Sequence, residues 1–517
     1  MDVILTLLPV ILVLALLVVW KWPADASGLV GWIAVLLIAI AFFHTSIRVG
    51  LTASLAGVVA SFPVSLMVAA SILQITFLEC TGALKRISVF VKTIAQNDRA
   101  VQIMIINMGL GTLLVAVGAT PVSILPPIML ALGYSTFVAV ALPALGFDSL
   151  CTYALLGAPL VVYSDMTGTS LNQSALIFSQ YMPIISTLIG FGMLYIVGGF
   201  KQIKEGFVPC LLAGLTMGLT AMAVAHVGRG IVLTGVIAGA VTILVMLLYL
   251  KLTGKSIIDR SLLTPEETKT ESSTSLLVAL SPWIILVAAC LFINFYPPVF
   301  DYLYKTVAMP AEIIPGGKPV MTRMLWNAYS WVIISTLLAI PFIKPSRAQW
   351  KETMKKWLAR APRPTFSAAI FFAIAYVMNL SGFNGTTAVW TPPANADWNM
   401  ISVLATSSAN FFKGLYPAVG AFLGLLGGFV SGSEASTIAL FTKYHLLTSD
   451  LLKVNALIVT AGTAIAGGLA SVISPAKLQN AAATIDAIGI ESEVIKVAFV
   501  ISLFLTTVAA VLTFIWA

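Results

Sequence analysis

The stretch Asn107-Met-Gly-Leu-Gly-Thr-Leu-Leu-Val-Ala-Val-Gly-Ala-Thr-Pro-Val-Ser123 begins as a membrane helix and then stops at Gly118-Ala-Thr-Pro121. Far along the chain, Gly424-Leu-Leu-Gly-Gly-Phe-Val-Ser-Gly-Ser-Glu-Ala-Ser-Thr437 stops in the same manner, at Ser431-Gly-Ser-Glu434. Inside a bilayer, backbone groups freed by such a break must find partners in protein or in a water-filled cavity. Matching interruptions in two halves of a membrane protein point to a transporter binding site. The breaks predict an all-α polytopic membrane protein with discontinuous helices and re-entrant hairpins.

Composition supports this class. The chain has 517 residues, of which 59% are hydrophobic and only 9% charged, unlike any soluble globular domain. Apolar runs at 3–20, 231–250, 275–295 and 497–516 are each long enough to cross a bilayer. The first run has no basic start and is followed at once by another apolar run, so it is read as a retained helix, not a signal peptide. The net charge of +8 comes from residues in short loops between spans, which reports orientation and not nucleic-acid binding. The cysteines Cys80, Cys151, Cys210 and Cys290 lack CxxC spacing and read as small buried hydrophobes. His44, His226 and His445 lack metal-ligand spacing and read as interfacial or loop residues.

Clear spans fall at roughly 3–20, 28–43, 63–82, 178–199, 207–226, 231–250, 275–295, 325–343, 365–380 and 497–516, with a half-span at 46–61. Stretches 101–163 and 399–474 are apolar but cut by Gly, Pro, Ser and Thr. Counting their pieces, the chain makes about 11–14 passes. Basic residues place the 344–364 loop (Lys344, Arg347, Lys351, Lys355, Lys356, Arg360, Arg363) in the cytoplasm. The 251–274 linker, the pair Lys201 and Lys204, and the group Lys85, Arg86, Lys92 and Arg99 join it there. The aromatic, Pro-rich loops 296–322 and 386–398 face out.

The linker divides the chain into halves. Residues 1–250 carry a hairpin near 107–133 and a broken helix near 150–168; residues 275–517 carry a hairpin near 415–445 and a broken helix near 454–485. This repeated order predicts two structural repeats of inverted topology.

Few ionisable residues lie in apolar sequence, and such residues default to functional hypotheses. Glu434 sits among the hydroxyls of Ser431, Ser433, Ser436 and Thr437. A broken helix there offers N–H groups to an anion, and the acid can carry a proton or help hold sodium; the alternative is a plain helix cap. Ser474-Pro475 starts a new helix, placing Lys477 one turn in as a counter-charge for a carboxylate, as a snorkelling lysine, or as a partner of Glu434. Thr120 and Ser123 are the first-half hydroxyl donors. Asp148 and Asp165 are further candidates for the coupling ion, Asp165 nearer an interface end. Glu79 reads as a helix-end ion partner. Asn379, in Asn379-Leu-Ser-Gly382, either lines the cavity or belongs to a helix C-terminal cap.

At these residues the chain resembles the lactate permease family. Asn379-Leu-Ser-Gly resembles that family's asparagine–tyrosine–serine–glycine element. The segment 428–441 is similar to its threonine–glycine–serine–aspartate–threonine–serine segment, and 467–475 to its glycine–glycine run ending in isoleucine–serine–proline. Leu156-Gly-Ala-Pro159 through Thr167-Gly168 also fits. The resemblance implies a secondary transporter in the cytoplasmic membrane that moves a small 2-hydroxy monocarboxylate, L-lactate or glycolate, with protons. It also implies a scaffold part and a mobile part that shift like an elevator. The chain departs from the family where Val115 stands in place of a first-half acid and Glu434 in place of an aspartate. If that acid is lost, coupling must pass to Glu434, Asp148 or Asp165, or the coupling ion differs.

The alternative within transport is a sodium- or proton-coupled carrier of a dicarboxylate or sulfonate. One basic residue near the site, Lys477, favours a monocarboxylate. A membrane enzyme would need clustered acids for a metal, and the acids here are scattered. No cofactor, metal site or nucleic-acid partner is expected. The expected partners are a small organic anion and the bilayer; carriers with a scaffold part often dimerise, so a homodimer is one candidate assembly.

Overall fold

The computed structural model describes residues 2–20, 22–95, 97–261 and 263–517; at 18, 475 and 476 it describes the backbone. Among the described residues, 11 helices are long and apolar enough to cross a membrane. The pair Ser281–Phe295 and Pro297–Thr306, bent by 88°, raises the number to 12. Apolar side chains such as Leu37, Leu244 and Phe504 are exposed along helix flanks, as solvation by lipid requires. The chain is a multi-pass membrane protein.

Most of the basic loops meet at one end of the molecule. Lys356 and Arg360 pair with Glu79, and Arg363 pairs with Asp25. The expectation of a helix-end role for Glu79 therefore holds. The 251–274 linker docks on the 83–98 segment through Lys92–Glu267 (3.0 Å), Lys255–Asp98 (2.6 Å) and an Ile94–Ile258 bridge. Its helix Pro265–Ser273 opens with a capping box between Thr264 and Glu267. Partial burial pushes the Glu267 carboxyl up, but the Thr264 N–H and the Lys92 ammonium outweigh it and hold it below the usual glutamate value. A carboxylate so lowered stabilises the tether at neutral pH, and that contribution is lost as pH falls through the lowered value. Glu267→Gln leaves an amide oxygen to accept from Thr264 but removes the charge paired with Lys92; it is expected to cost up to about 1 kcal/mol and to speed protease cleavage of the linker at pH 7. Equal cleavage rates for wild type and variant would rule out the tether.

Residues 99–131 form a re-entrant hairpin. Its first arm runs from Arg99 to Ala116, with a π-helical stretch at Met104–Leu110. Its return arm is Pro121–Ala131. The Tyr134 hydroxyl donates to Gln102 Oε1 at 3.0 Å, so both arms have their feet at the same end. That end is the basic one: Arg99 lies over the Tyr134 ring, and Gly206, beyond Lys201 and Lys204, packs on Ala100.

The next pass is broken. Helix Thr136–Gly146 gives way to a 3₁₀ segment, Phe147–Tyr153. Leu155, Leu156 and Gly157 then take left-handed φ of 53°, 53° and 74° before the chain resumes a right-handed helix to Thr167. A left-handed leucine costs roughly 1–2 kcal/mol, so tertiary packing must hold this turn. Leu156 is buried there.

The second hairpin opens at the other end. It comprises Tyr416–Ser431 and Glu434–Leu452. Just beyond it, the Asn455 N–H donates to the Ala517 carbonyl at 3.0 Å. The Leu457 carbonyl accepts from Tyr163, near the far end of the first broken helix, at 2.7 Å. A second broken helix follows as Ala456–Leu469, a 3₁₀ turn Ser471–Ile473 and Pro475–Ala483. The final helix, Glu491–Trp516, then returns to Asn455.

Two sequence expectations need correction. The 325–343 span is the shorter pair Ala328–Leu338 and Ile340–Ile343, because Asn327 starts a helix that Pro341 interrupts. His445 is no loop residue. It is fully buried between helices, with Nδ1 bonded to the Tyr416 hydroxyl (2.7 Å) and Nε2 to the Thr463 hydroxyl (2.9 Å). Both ring nitrogens are thus satisfied, which is how a buried imidazole escapes a desolvation penalty.

Candidate functional site

Glu434 is the first residue of the return arm of the second hairpin. The preceding helix ends at Gly432 with φ 64°, a left-handed cap that glycine adopts without steric cost. Ser433 caps the next helix by accepting from the Ser436 N–H. The Ser431 hydroxyl donates to the Gly427 carbonyl (2.8 Å), and the Thr437 hydroxyl to the Ser433 carbonyl (3.0 Å). The hydroxyls of Ser431 and Thr437 thus donate within the hairpin tip. Ser436 and Ser474 are buried beside it, Ser474 against Gly432.

The carboxylate itself points across to the first broken helix. The Thr152 hydroxyl donates to Glu434 Oε1 at 2.6 Å. Oε2 has no hydrogen-bond partner and packs against Gly468, with Cys151 alongside. Asp148, on the same 3₁₀ segment as Thr152, is 3% exposed, and neither of its oxygens has a hydrogen-bond partner. Buried polar groups are normally paired, so these three oxygens call for a missing partner.

Lys477 supplies the positive charge. Its Nζ donates to Ser471 Oγ at 2.6 Å and lies 4.9 Å from the centre of the Phe147 ring. Among the described residues no ion pair joins it to Glu434, so direct partnership, one of the three readings of this lysine, is not formed. One turn on, Asn480 Nδ2 donates to Ser123 Oγ at 2.8 Å and ties this helix to the first hairpin. Thr120 precedes the return arm of that hairpin, is exposed, and leaves the helix start without a side-chain cap. The tips of both hairpins and the breaks of both discontinuous helices therefore converge on one cluster. Its acids are occluded, Asp148 at 3% and Glu434 at 2% exposure, while Thr120 and Asn480 at its rim are exposed.

Two candidates lie elsewhere. Asp165 pairs with Arg323 at 3.0 Å, beneath which lies the Tyr304 ring, and it lines a cavity of about 300 Å³ with Lys318 and Tyr376. Asn379 sits at the end of its helix, where its main-chain carbonyl accepts from Asn399 Nδ2 (3.0 Å), and its side-chain Oδ1 is buried without a hydrogen-bond partner. Val115, where the family pattern has an acid, is buried in apolar packing. Thr152, Ser471 and Asn480 join the cluster with no signal of their own in sequence beyond polarity beside a break.

The L-lactate permease family matches residues 2–517. An L-lactate permease of Streptococcus iniae is 25% identical over 88% of this chain and 92% of its own length. The glycolate permease of Escherichia coli (strain K12) is 23% identical over 100% of this chain and 96% of its own. The L-lactate permease of Bacillus subtilis (strain 168) is 21% identical over 98% and 94%. A match that runs the length of the chain, laid over a polytopic fold whose breaks meet at one buried charged cluster, makes this protein a member of the L-lactate permease family.

Proposed function

We propose that this protein is a secondary transporter that carries a small 2-hydroxy monocarboxylate, L-lactate or glycolate, across the cell membrane together with a proton. The relatives' names supply the substrate class. The observation that carries the chemistry is a half-buried lysine, Lys477, over the ring of Phe147 next to Asp148, in a cluster where carboxylate oxygens of Asp148 and Glu434 lack hydrogen-bond partners. A single cation suits one carboxylate group. A dicarboxylate would leave a second charge uncompensated in a dry site. Helix starts at Pro121 and Pro475, neither capped by a side chain, add N–H groups able to receive an anion.

The opposite openings of the two hairpins support a pair of inverted repeats, and with them alternating access by displacement of the hairpin-bearing part. Asp148 and Glu434 take the place of the acid that Val115 lacks. Asp165, paired with Arg323 at 3.0 Å, is read as a structural ion pair and not as the coupling group.

Proteoliposomes given labelled L-lactate and an inward pH gradient test this reading. Uptake is expected with or without sodium. Unlabelled L-lactate and glycolate are expected to compete at least tenfold better than acetate or succinate. Uptake that requires sodium, or that succinate suppresses best, would overturn the reading.

A further inference from the structure

The helix Arg347–Arg360, at the basic end of the molecule, divides its cations between two flanks. Its inner face is fixed to the helix Phe62–Cys80. The Trp357 indole N–H donates to the Ala69 carbonyl at 2.9 Å, the Trp350 ring meets the Phe77 ring edge-on at 5.7 Å, and Thr353 is buried. On one side of that face Lys356 and Arg360 pair with Glu79 at 3.1 and 2.6 Å. With about 100° between successive residues, Arg347, Lys351, Lys355 and Leu358 fall together on the other side, within roughly 80° of one another. Lys344 stands just before the helix, at a left-handed residue with φ 53°.

Lys344, Arg347, Lys351 and Lys355 are all exposed, and among the described residues none of them has a carboxylate partner. Glu352, the acid of this helix, is taken by Lys356 at 2.9 Å. Leu358, in the middle of the free basic flank, is 63% exposed. The neighbouring spans also leave Leu338, Phe342 and Phe366 open. A leucine among basic residues, at the end of spans whose own surfaces are apolar, suits the boundary between acyl chains and headgroups. There the leucine enters the chains, and the long basic side chains reach out to phosphate. Free positive charge in such a row, with no acid to offset it, is complementary to lipids of net negative charge and not to zwitterionic ones.

We propose that this flank is a binding surface for anionic phospholipid, with Lys344, Arg347, Lys351 and Lys355 holding headgroup phosphates of the adjoining leaflet. Arg347 can take a phosphate through two N–H groups, and the lysines act as point charges. Lipid and Glu79 engage opposite flanks of one helix. Bound lipid therefore presses the helix against Phe62–Cys80 without competing for its ion pairs.

Purified protein in mixed bilayers of phosphatidylcholine and phosphatidylglycerol, with a spin label on one lipid or the other, tests this. The immobilised fraction of each label gives the preference for the anionic lipid. In Lys344→Gln/Arg347→Gln/Lys351→Gln/Lys355→Gln that preference is expected to fall about tenfold. High salt is expected to lower it in the wild type and to leave the variant unchanged. Lys351→Gln/Lys355→Gln keeps the tryptophan contacts and the Glu79 pairs, so it folds if the larger variant does not, and a fall of about threefold is expected. Lys201→Gln/Lys204→Gln, exposed at the same end, is the control and should keep the wild-type preference. A wild type that holds both lipids equally would overturn the proposal. So would a basic-flank variant that keeps the wild-type preference, or a control that loses as much.

Discussion

Lys477→Met is expected to abolish measurable L-lactate uptake. The ammonium is anchored by Ser471 Oγ and the face of Phe147, the residue before Asp148. Removing one partner of a buried charge set costs about 3–5 kcal/mol, because the other charge is left uncompensated. For a substrate carboxylate that amounts to a loss of roughly 10²–10⁴-fold in affinity. Lys477→Arg restores charge but brings a planar, longer head group into a site with Ser471 on one side, so partial recovery is expected. Binding measured by heat release on titration with lactate checks both variants. Wild-type affinity in Lys477→Met would remove the lysine from the site.

Gly428→Ala is expected to damage the protein in another way. The first arm of the second hairpin packs along Ala456–Leu469 so closely that a Cβ at Gly428 would run into the Gly467 carbonyl oxygen. The obstacle is backbone, so no rotamer change relieves it; one helix must move. Small residues at helix interfaces allow such approach in membranes, and overpacking typically costs about 1–3 kcal/mol. The displaced helix ends at Ser431, three residues before Glu434, so transport should fall at least tenfold together with a lower Tm. Gly414→Ala is the control, because nothing lies within 4 Å of a Cβ there. Equal melting and transport for the two variants would show that the helices are free to separate.

Much of this architecture was legible because lipid enforces strict rules. Runs such as 231–250 and 497–516 admit only a spanning helix. The breaks at Thr120-Pro121 and Ser431–Glu434 had to be turns, since a polar, Gly-containing interruption has no other use in a bilayer. Ion-pair partners were less legible. Asp165 carries no hint of Arg323, because the contact joins a helix end to a loop 158 residues away. The cluster was half visible. Glu434, Asp148 and Lys477 stood out as charges in apolar sequence, but their mutual placement depends on the left-handed turn at Leu155–Leu156, which no residue preference announces. The serines around Glu434 carry two readings in sequence, because a helix tip has its own orphan backbone groups and nearby hydroxyls can satisfy those as well as a ligand. His445 misled because a lone polar residue near a helix end reads as surface until its two partners are seen.

The hairpins whose feet lie at opposite ends have a consequence for physiology. On the transport reading proposed above, hairpins opening to opposite sides give neither compartment a privileged route to the acids in the middle, and the direction of net flow is expected to follow the gradients of the anion and its coupling ion.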